Sequence, residues 1–244
     1  MAGLLSLFQK KREDPQCSAV IVAAGSARRM EGIDKALAPL GELPVLVHTI
    51  YAFQDCPAIG EIIVVAREDL LVEVSRLCRE FNLDKVRKVI VGGAERIHSV
   101  QAGLKEVDPE MSLIAIHDGA RPLVSQEIIR DTVARAALTG AAAPAVPLTD
   151  TVKRASEGRT EETVDRSALW AVQTPQVFEA GLIKGAVQKA MDDGELLTDD
   201  CGAVERMGMP VTLTAGSPEN LKITTPLDLI LGEAILQARG EGVL

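Results

Sequence analysis

The chain has 244 residues, which at roughly 100–200 residues per domain is room for one large domain or two small ones. Hydrophobic residues at 47% and charged residues at 25% are ordinary globular usage and exclude wholesale disorder. Against 35 acidic residues stand 26 basic ones, a formal net charge of −9, the wrong sign for a chain that works by gripping nucleic-acid phosphates; aromatics at 2% exclude a base-stacking platform.

The first 16 residues read as a flexible leader. The apolar stretch at 4–8 is too short for a signal-peptide core, and its basic residues follow it rather than precede it. Residues 18–24 form a continuous β-branched run that stops at Gly25, the pattern of a strand buried on both faces. Helical spacing follows at 44–53, and the alternation then repeats. Strand-like runs at 61–66, 86–91, 113–117 and 141–146 alternate with helical ones at 70–81, 97–107 and 125–138, the last with Ser125 as N-cap. Such alternation predicts a parallel sheet covered by helices on both faces. From Leu148 the rhythm breaks. Residues 149–171 are polar and turn at Gly158, with β-rich pieces at 151–153 and 168–172, and they predict a protruding β-arm, because so few residues cannot bury a core of their own. Helical patterns return at 180–191, 199–207 and 226–238, with a strand at 211–214.

Four segments carry polar chemistry. Ala23-Ala24-Gly25 ends the first strand and leads to Arg29 and Lys35, small residues and cations suited to a phosphate at a strand's carboxyl end. It matches neither the P-loop nor the GxGxxG spacing. Gly92-Gly93 opens a helix that carries Ser99, and glycines there allow a flat ligand close approach. His117-Asp118-Gly119-Ala120-Arg121 delivers a carboxylate that suits a sugar hydroxyl or a metal. Downstream lie Arg166, Thr174, Thr198-Asp199-Asp200 and Lys222. Each has a plainer reading: a solvated loop, a simple βα turn, an internal Asp–Arg pair, a helix cap. His117 reads as a hydrogen-bonded structural residue.

Cys17, Cys56, Cys78 and Cys201 have no CxxC spacing, and the three histidines no HExxH, so reduced cytosolic thiols are expected and a zinc site is not. No run reaches the ~20 apolar residues of a membrane span. With no GxSxG elbow and no Cys–His pairing, covalent catalysis is disfavoured. Arg29, Lys35, Arg121, Arg166 and Lys222 around small-residue loops suit phosphoryl chemistry, where positioning and charge neutralisation do most of the catalysis.

Taken in order, the stretches AAGSARRM…DK, GGAERIHSV, HDGARPLV, DTVKR, VDRSALWAVQTPQ, LTDD and NLKITTPLDL resemble the 2-C-methyl-D-erythritol 4-phosphate cytidylyltransferase family over residues 19–231. The resemblance implies a single α/β domain over 17–244 with a Rossmann-like nucleotidyltransferase fold, three layers, a mostly parallel sheet and an arm at 149–171 that dimerises. It implies a cytoplasmic enzyme that joins CTP to 2-C-methyl-D-erythritol 4-phosphate and releases pyrophosphate, with Mg²⁺ or another divalent cation, as a homodimer, with no nucleic-acid or membrane partner. Ala23, Ala24, Gly25, Gly93 and Ser99 match nucleotide-binding positions. Arg29, Lys35, Arg166 and Lys222 match catalytic ones. Asp118, Arg121, Thr151, Thr174 and Thr198 match substrate positions, with Asp118 open as a metal ligand and the CTP phosphates as the alternative holders of the ion. Thr151 and Arg166 would serve the neighbouring subunit's site. Ala27 stands where the family usually has Gly, and Ala94 where it often has a polar residue. The family's fused form needs a longer chain, so the monofunctional form is expected. Ribitol 5-phosphate cytidylyltransferase and a catalytically silent nucleotide-binding module are the rival readings.

Overall fold

The computed structural model describes residues 17–25, 34–195 and 197–240; the leader, Ala27 and Arg29 lie outside them. In chain order come Cys17–Val22 (β1), the short strands Pro39–Leu40 and Leu43–Pro44 (β2, β3), Val45–Gln54 (α1), Ile59–Ala66 (β4), Leu71–Glu80 (α2) and Val86–Val91 (β5). Arg96–Glu106 (α3), Leu113–Asp118 (β6), Gln126–Thr139 (α4) and Ala141–Pro147 (β7) continue the alternation. Then follow a hairpin of Val152–Ser156 and Arg159–Val164 (β8, β9), Trp170–Val172 (β10) and Gln176–Glu179 (β11). Ala180–Asp192 (α5), Cys201–Arg206 (α6), Thr212–Ala215 (β12) and Pro226–Arg239 (α7) complete it.

The main sheet runs β10-β7-β11-β6-β1-β4-β5, with β12 added beside β7. The pairings β1/β4, β1/β6, β4/β5 and β7/β12 are parallel, and only β10 and β11 run against the rest. β1 and β6 are buried almost throughout, as strands covered on both faces must be. Their alternate residues feed two cores. Ala19, Ile21, Ile62, Val64 and Ala115 pack with Leu46, Ile50, Phe53, Val74 and Val133 of α1, α2 and α4. Val20, Ile63, Val65, Ile114 and Ile116 pack with Val100, Leu104, Ile183, Val187 and Val204 of α3, α5 and α6. The result is the expected three-layer α/β/α sandwich. A third cluster of Leu40, Val45, Leu123, Ile223 and Leu236 fastens α7 to the hairpin after β1. Among the described residues no helix is long and apolar enough to cross a membrane.

Local signals set the helix ends. The Ser125 hydroxyl accepts from the Ile128 amide, and α4 ends on Gly140 at φ 82°. Pro226 opens α7 behind a Thr225–Asp228 capping box. Helical spacing suggests α6 from 199, but it begins at Cys201, because the Asp199–Cys201 turn is held by the Gln176 side chain.

The arm differs from expectation in its second half. Its partner strand for β8 is Arg159–Val164, and the turn between them places Glu157 at φ 49° and Gly158 at φ 75°, the double left-handed geometry of a two-residue hairpin. Trp170–Val172 returns to the main sheet on β7. β10 and β11 lie along one edge of β7, and between Val172↔Ala145 and Val177↔Ala142 the register gains two residues. The bulge falls within Gln173-Thr174-Pro175, with a cis Thr174–Pro175 peptide, beside the end of β6.

Gly103 in α3 lies directly against the sheet, since a Cβ there would lie 2.4 Å from Val20 Cγ1 and 3.1 Å from Val65 Cγ2. Gly103→Ala should therefore destabilise the fold by about 1–3 kcal/mol through overpacking, although alanine is the better helix former. A lowered urea midpoint at unchanged m-value is the expected result, and a raised midpoint would mean that the helix has room to move.

Candidate active site

The strand order reverses at β1, whose neighbours are β4 on one side and β6 on the other. Ligands bind beyond the carboxyl ends of strands at such a point. A cleft lies there, lined by Ala23, Ala24, Gly25, Lys35, Gly93, Arg96, Ser99, Asp118, Gly119 and Lys222 among others.

Its floor is made of the smallest residues for a steric reason. A Cβ on Gly92 would sit 2.3 Å from the Cβ of Ala24, and one on Gly119 would sit 2.9 Å from that of Ala23. Three loops thus converge at backbone contact distance, held by the Ala23 amide on the Val65 carbonyl (2.7 Å), Gly92 on Ala66 (2.8 Å) and Gly119 on Val22 (2.9 Å). Gly93 is confined likewise, because a Cβ would meet that of His98 at 2.3 Å. The Ser99 hydroxyl accepts from the Gly93 amide at 3.1 Å and donates to the Glu95 carbonyl at 3.3 Å. It shapes its own loop.

Asp118 stands at the end of β6 with cations around its carboxylate. Lys222 Nζ lies 2.8 Å from Oδ2, Arg121 Nε 3.5 Å from the same oxygen, and Arg96 Nε 3.6 Å from Oδ1. Burial works against the charged form, but Lys222, Arg96 and Arg121 outweigh it and hold the Asp118 pKa down to about 2. Arg96 is itself fixed by a bidentate pair with the buried Asp200, at 2.8 and 2.6 Å. Burial lowers the Arg96 pKa, and the Asp200 carboxylate more than offsets this, so the guanidinium stays charged. Gln176 sets the Asp200 end, since its Oε1 accepts the Asp200 and Cys201 amides and its Nε2 donates to Asp199. Opposite, Asn220 offers its carbonyl to Arg121 at 2.6 Å and donates its side-chain amide to the Thr174 carbonyl at 3.0 Å.

His117 is fully buried behind this turn, and burial above all lowers its pKa to about 4, so it is neutral at working pH. Its Nε2 contacts the Arg121 carbonyl at 3.1 Å and its Nδ1 the Thr174 hydroxyl at 3.0 Å. Among the described residues no group of three or more His, Cys, Asp or Glu side chains is gathered as for a metal ion.

The structure thus brings Ala23, Ala24, Gly25, Lys35, Gly93, Ser99, Asp118 and Lys222 to one cleft, with Arg121 just behind Asp118. Thr174 is buried under the Asp118 turn, not in the cleft lining. Thr198 is exposed and does not line the cleft; its neighbours Asp199 and Asp200 are the engaged residues. Thr151 and Arg166 lie on the exposed arm. Arg166 donates to the Thr149 carbonyl, and Asp165 accepts from the Ser167 amide at 2.9 Å. Sequence reasoning gave Arg96 no role and named Asp200 only within Thr198-Asp199-Asp200, so it missed their pairing. A signal for Arg96 exists: it is the first residue of α3, where a cation opposes the helix dipole and needs another partner.

A doubly covered, mostly parallel sheet, with small-residue loops and converging cations at its switch point, is the architecture of a nucleotidyltransferase. Residues 17–238 match the model of the family described as 2-C-methyl-D-erythritol 4-phosphate cytidylyltransferase, and the chain belongs to that family. A relative of that name from Bacillus velezensis is 45% identical over 221 residues, covering 90% of this chain and 95% of its own. One from Caldanaerobacter subterraneus subsp. tengcongensis is 46% identical over 227 residues, covering 90% and 98%. Among solved structures, 4-diphosphocytidyl-2C-methyl-D-erythritol synthase from Anaerococcus prevotii aligns with a TM-score of 0.81 at 30% identity, over 91% of this chain and 96% of that one. The cytidylyltransferase from Thermus thermophilus aligns at 0.75 with 31% identity, over 89% and 98%.

Removing one partner of a buried pair strands the other, which costs about 3 kcal/mol. Asp200→Ala should accordingly lower the melting temperature by roughly 6–12 °C for a domain of this size. A shift of a degree or less in a thermal scan would show that Arg96 finds other partners at no cost.

Proposed function

We propose that the chain transfers the cytidylyl group of CTP to 2-C-methyl-D-erythritol 4-phosphate. A phosphate oxygen of the polyol phosphate forms a bond to the α-phosphorus of CTP, the bond from that phosphorus to the bridging oxygen breaks, and pyrophosphate leaves. The nucleophile is already an anion, so no general base is required. The observation that carries this reading is the convergence of Arg96, Arg121 and Lys222 on Asp118, in a cleft lined also by Lys35 above a floor of small residues, in a chain of this family.

In this mechanism Ala23, Ala24, Gly25 and Gly93 give the nucleotide its backbone contacts, and Ser99 keeps the Gly93 loop in shape. Lys35, together with Arg29, stabilises charge on the five-coordinate phosphorus. Lys222 holds the incoming phosphate, and Asp118 orients it through the polyol hydroxyls and through its hold on Lys222. Arg121 backs Asp118. The donor set fits a magnesium ion carried in with the nucleotide: Asp118 is an ionised, hard oxygen donor, but with Lys222 at 2.8 Å it offers the ion one ligand at most, and the triphosphate supplies the rest. Bound there, Mg²⁺ neutralises phosphate charge. The four free cysteines, three of them buried, suit a reducing cytoplasm.

The arm completes the reading. Nearly every residue of β8 and β9 is exposed, as on a surface shaped for a second copy. A two-fold partner would lay Thr151 and Arg166 over the neighbouring cleft with one self-complementary surface. Thr198 has no supporting geometry and keeps no role in this mechanism.

Pyrophosphate release with CTP and each polyol phosphate tests the assignment. Turnover should favour methylerythritol phosphate over ribitol 5-phosphate by roughly 10²-fold or more, as expected of a site that hydrogen-bonds its substrate's hydroxyls. No release with either would leave a silent nucleotide-binding module, and excess EDTA should abolish the activity. Lys35→Ala should lower kcat by roughly 10²-fold without loss of fold, the usual effect of removing a preorganised charge. Near-normal turnover would remove Lys35 from the mechanism.

Subunit mixing tests the arm. Arg166→Ala and Lys35→Ala homodimers should each be nearly inactive, and exchange between them should restore activity in heterodimers that hold one intact site. Exchange confirmed by mass spectrometry without recovery would confine Arg166 to its own subunit or to no site at all.

A further inference from the structure

The turn from Asp118 to Arg121 is tethered at almost every backbone group. The Gly119 amide donates to the Val22 carbonyl, and the Gly119 carbonyl accepts from the Thr49 hydroxyl at 2.9 Å. The Ala120 carbonyl accepts from the Ile223 amide at 2.8 Å, and the Arg121 amide closes back on the Asp118 carbonyl at 3.0 Å. Two ends remain, the Asp118 amide and the Arg121 carbonyl. The Asp118 amide donates to the Thr174 hydroxyl at 3.1 Å, and the Arg121 carbonyl faces His117 Nε2 at 3.1 Å.

The chemistry of these partners fixes the direction of each bond. A carbonyl only accepts, so the proton of the neutral imidazole is on Nε2. Nδ1 is then an acceptor, and the Thr174 hydroxyl, 3.0 Å away, is its donor. That hydroxyl in turn accepts from the Asp118 amide. The chain of bonds therefore runs from the Asp118 amide through Thr174 and His117 to the Arg121 carbonyl, joining both ends of the turn that carries Asp118 and the Arg121 behind it. Phe53 packs on the imidazole with ring centroids 4.7 Å apart and fixes its place. Both partners are buried, His117 completely and Thr174 to 4% exposure.

We propose that His117 and Thr174 form a brace that positions the Asp118–Arg121 turn for the polyol phosphate. His117 is a positioning residue of the reaction, and the Thr174 hydroxyl acts through the turn, being already engaged as both donor and acceptor. A histidine that merely filled the core would need neither nitrogen aimed at the turn. The inference rests on the proposed reading of the site as one for CTP and a polyol phosphate.

The test joins spectroscopy to kinetics on the full chain. Long-range proton–nitrogen correlation spectra of the nitrogen-15-labelled protein at neutral pH should show His117 with its proton on Nε2, assigned by the loss of its signals in His117→Phe. Thr174→Val should shift the Nδ1 resonance, as expected when its donor is removed. Thr174→Val and His117→Phe should each raise the KM for the polyol phosphate roughly five- to tenfold, the worth of one lost hydrogen bond, with much smaller changes in kcat and in the KM for CTP. The double variant should be no worse than the poorer single one, because residues that act as a unit are not additive. A proton on Nδ1, an unchanged polyol-phosphate KM in either variant, or additive effects would overturn the brace. If His117→Phe does not fold, the wild-type tautomer and the Nδ1 shift and KM of Thr174→Val still decide. Absence of turnover with the polyol phosphate would count against the proposed activity, while the tautomer would still judge the brace.

Discussion

One buried carboxylate sets the terms for the rest of the site. Asp118 is ionised beneath the cleft surface, and an ionised group in such a place is tolerated only with charged partners at close range. Three cations from three parts of the chain answer that need: Arg96 from the start of α3, Arg121 from the turn after β6, and Lys222 from the approach to α7. Each must then be fixed from behind. Asp200 takes the far side of Arg96, and the Asn220 carbonyl takes Arg121. The alternation of signs across the cleft makes two helices and two loops depend on one another through a single oxygen pair.

The fold is legible wherever burial dictates the residues. A strand covered on both faces can hold little but Ala, Val and Ile, so β1, β4 and β6 stand out from sequence alone, and the helices between them follow by period. The hairpin strand Arg159–Val164 escapes because it is exposed along nearly its whole length, and an exposed strand needs no apolar alternation. Gln176–Glu179 escapes for another reason: four residues behind a proline and directly ahead of a helix leave too little pattern to read, although their partners Ala115 and Ala142 lie at the heart of the sheet.

The site shows the same division. Ala23, Ala24, Gly92 and Gly119 read as a ligand turn, and the structure gives a further cause for their size, since three backbones meet there and nothing larger fits. Asp118 and Lys222 are legible because a charged residue inside an apolar run is costly without a purpose. Arg96 and Asp200 are not, since either alone passes for a helix-end residue, and only the fold joins positions 104 residues apart. Thr174 and His117 are legible as polar residues but not in role. Which atoms their side chains serve depends on a two-residue register gain in β10–β11 that no local pattern announces.

Charge in the cleft has a further consequence for chemistry with a triphosphate. Among the described lining residues, Lys35, Arg96 and Lys222 are balanced in number by Asp34, Glu95 and Asp118, in a chain that is acidic as a whole. Asp34 is held by Arg67 at 2.6 Å, which softens its effect, but the lining by itself brings no large positive excess. Two anionic substrates drawn together in such a place repel each other and the acidic surface around them. The proposed mechanism therefore needs neutralising charge beyond the described lining residues: Arg29, a cation carried on the triphosphate, and Arg166 of a second copy. Described lining residues that balance in sign hold one another in place and do not have to be kept apart as like charges. In that mechanism the added cations offset the charge that the two substrates bring, so the charge that the transition state needs is in place at the moment of transfer.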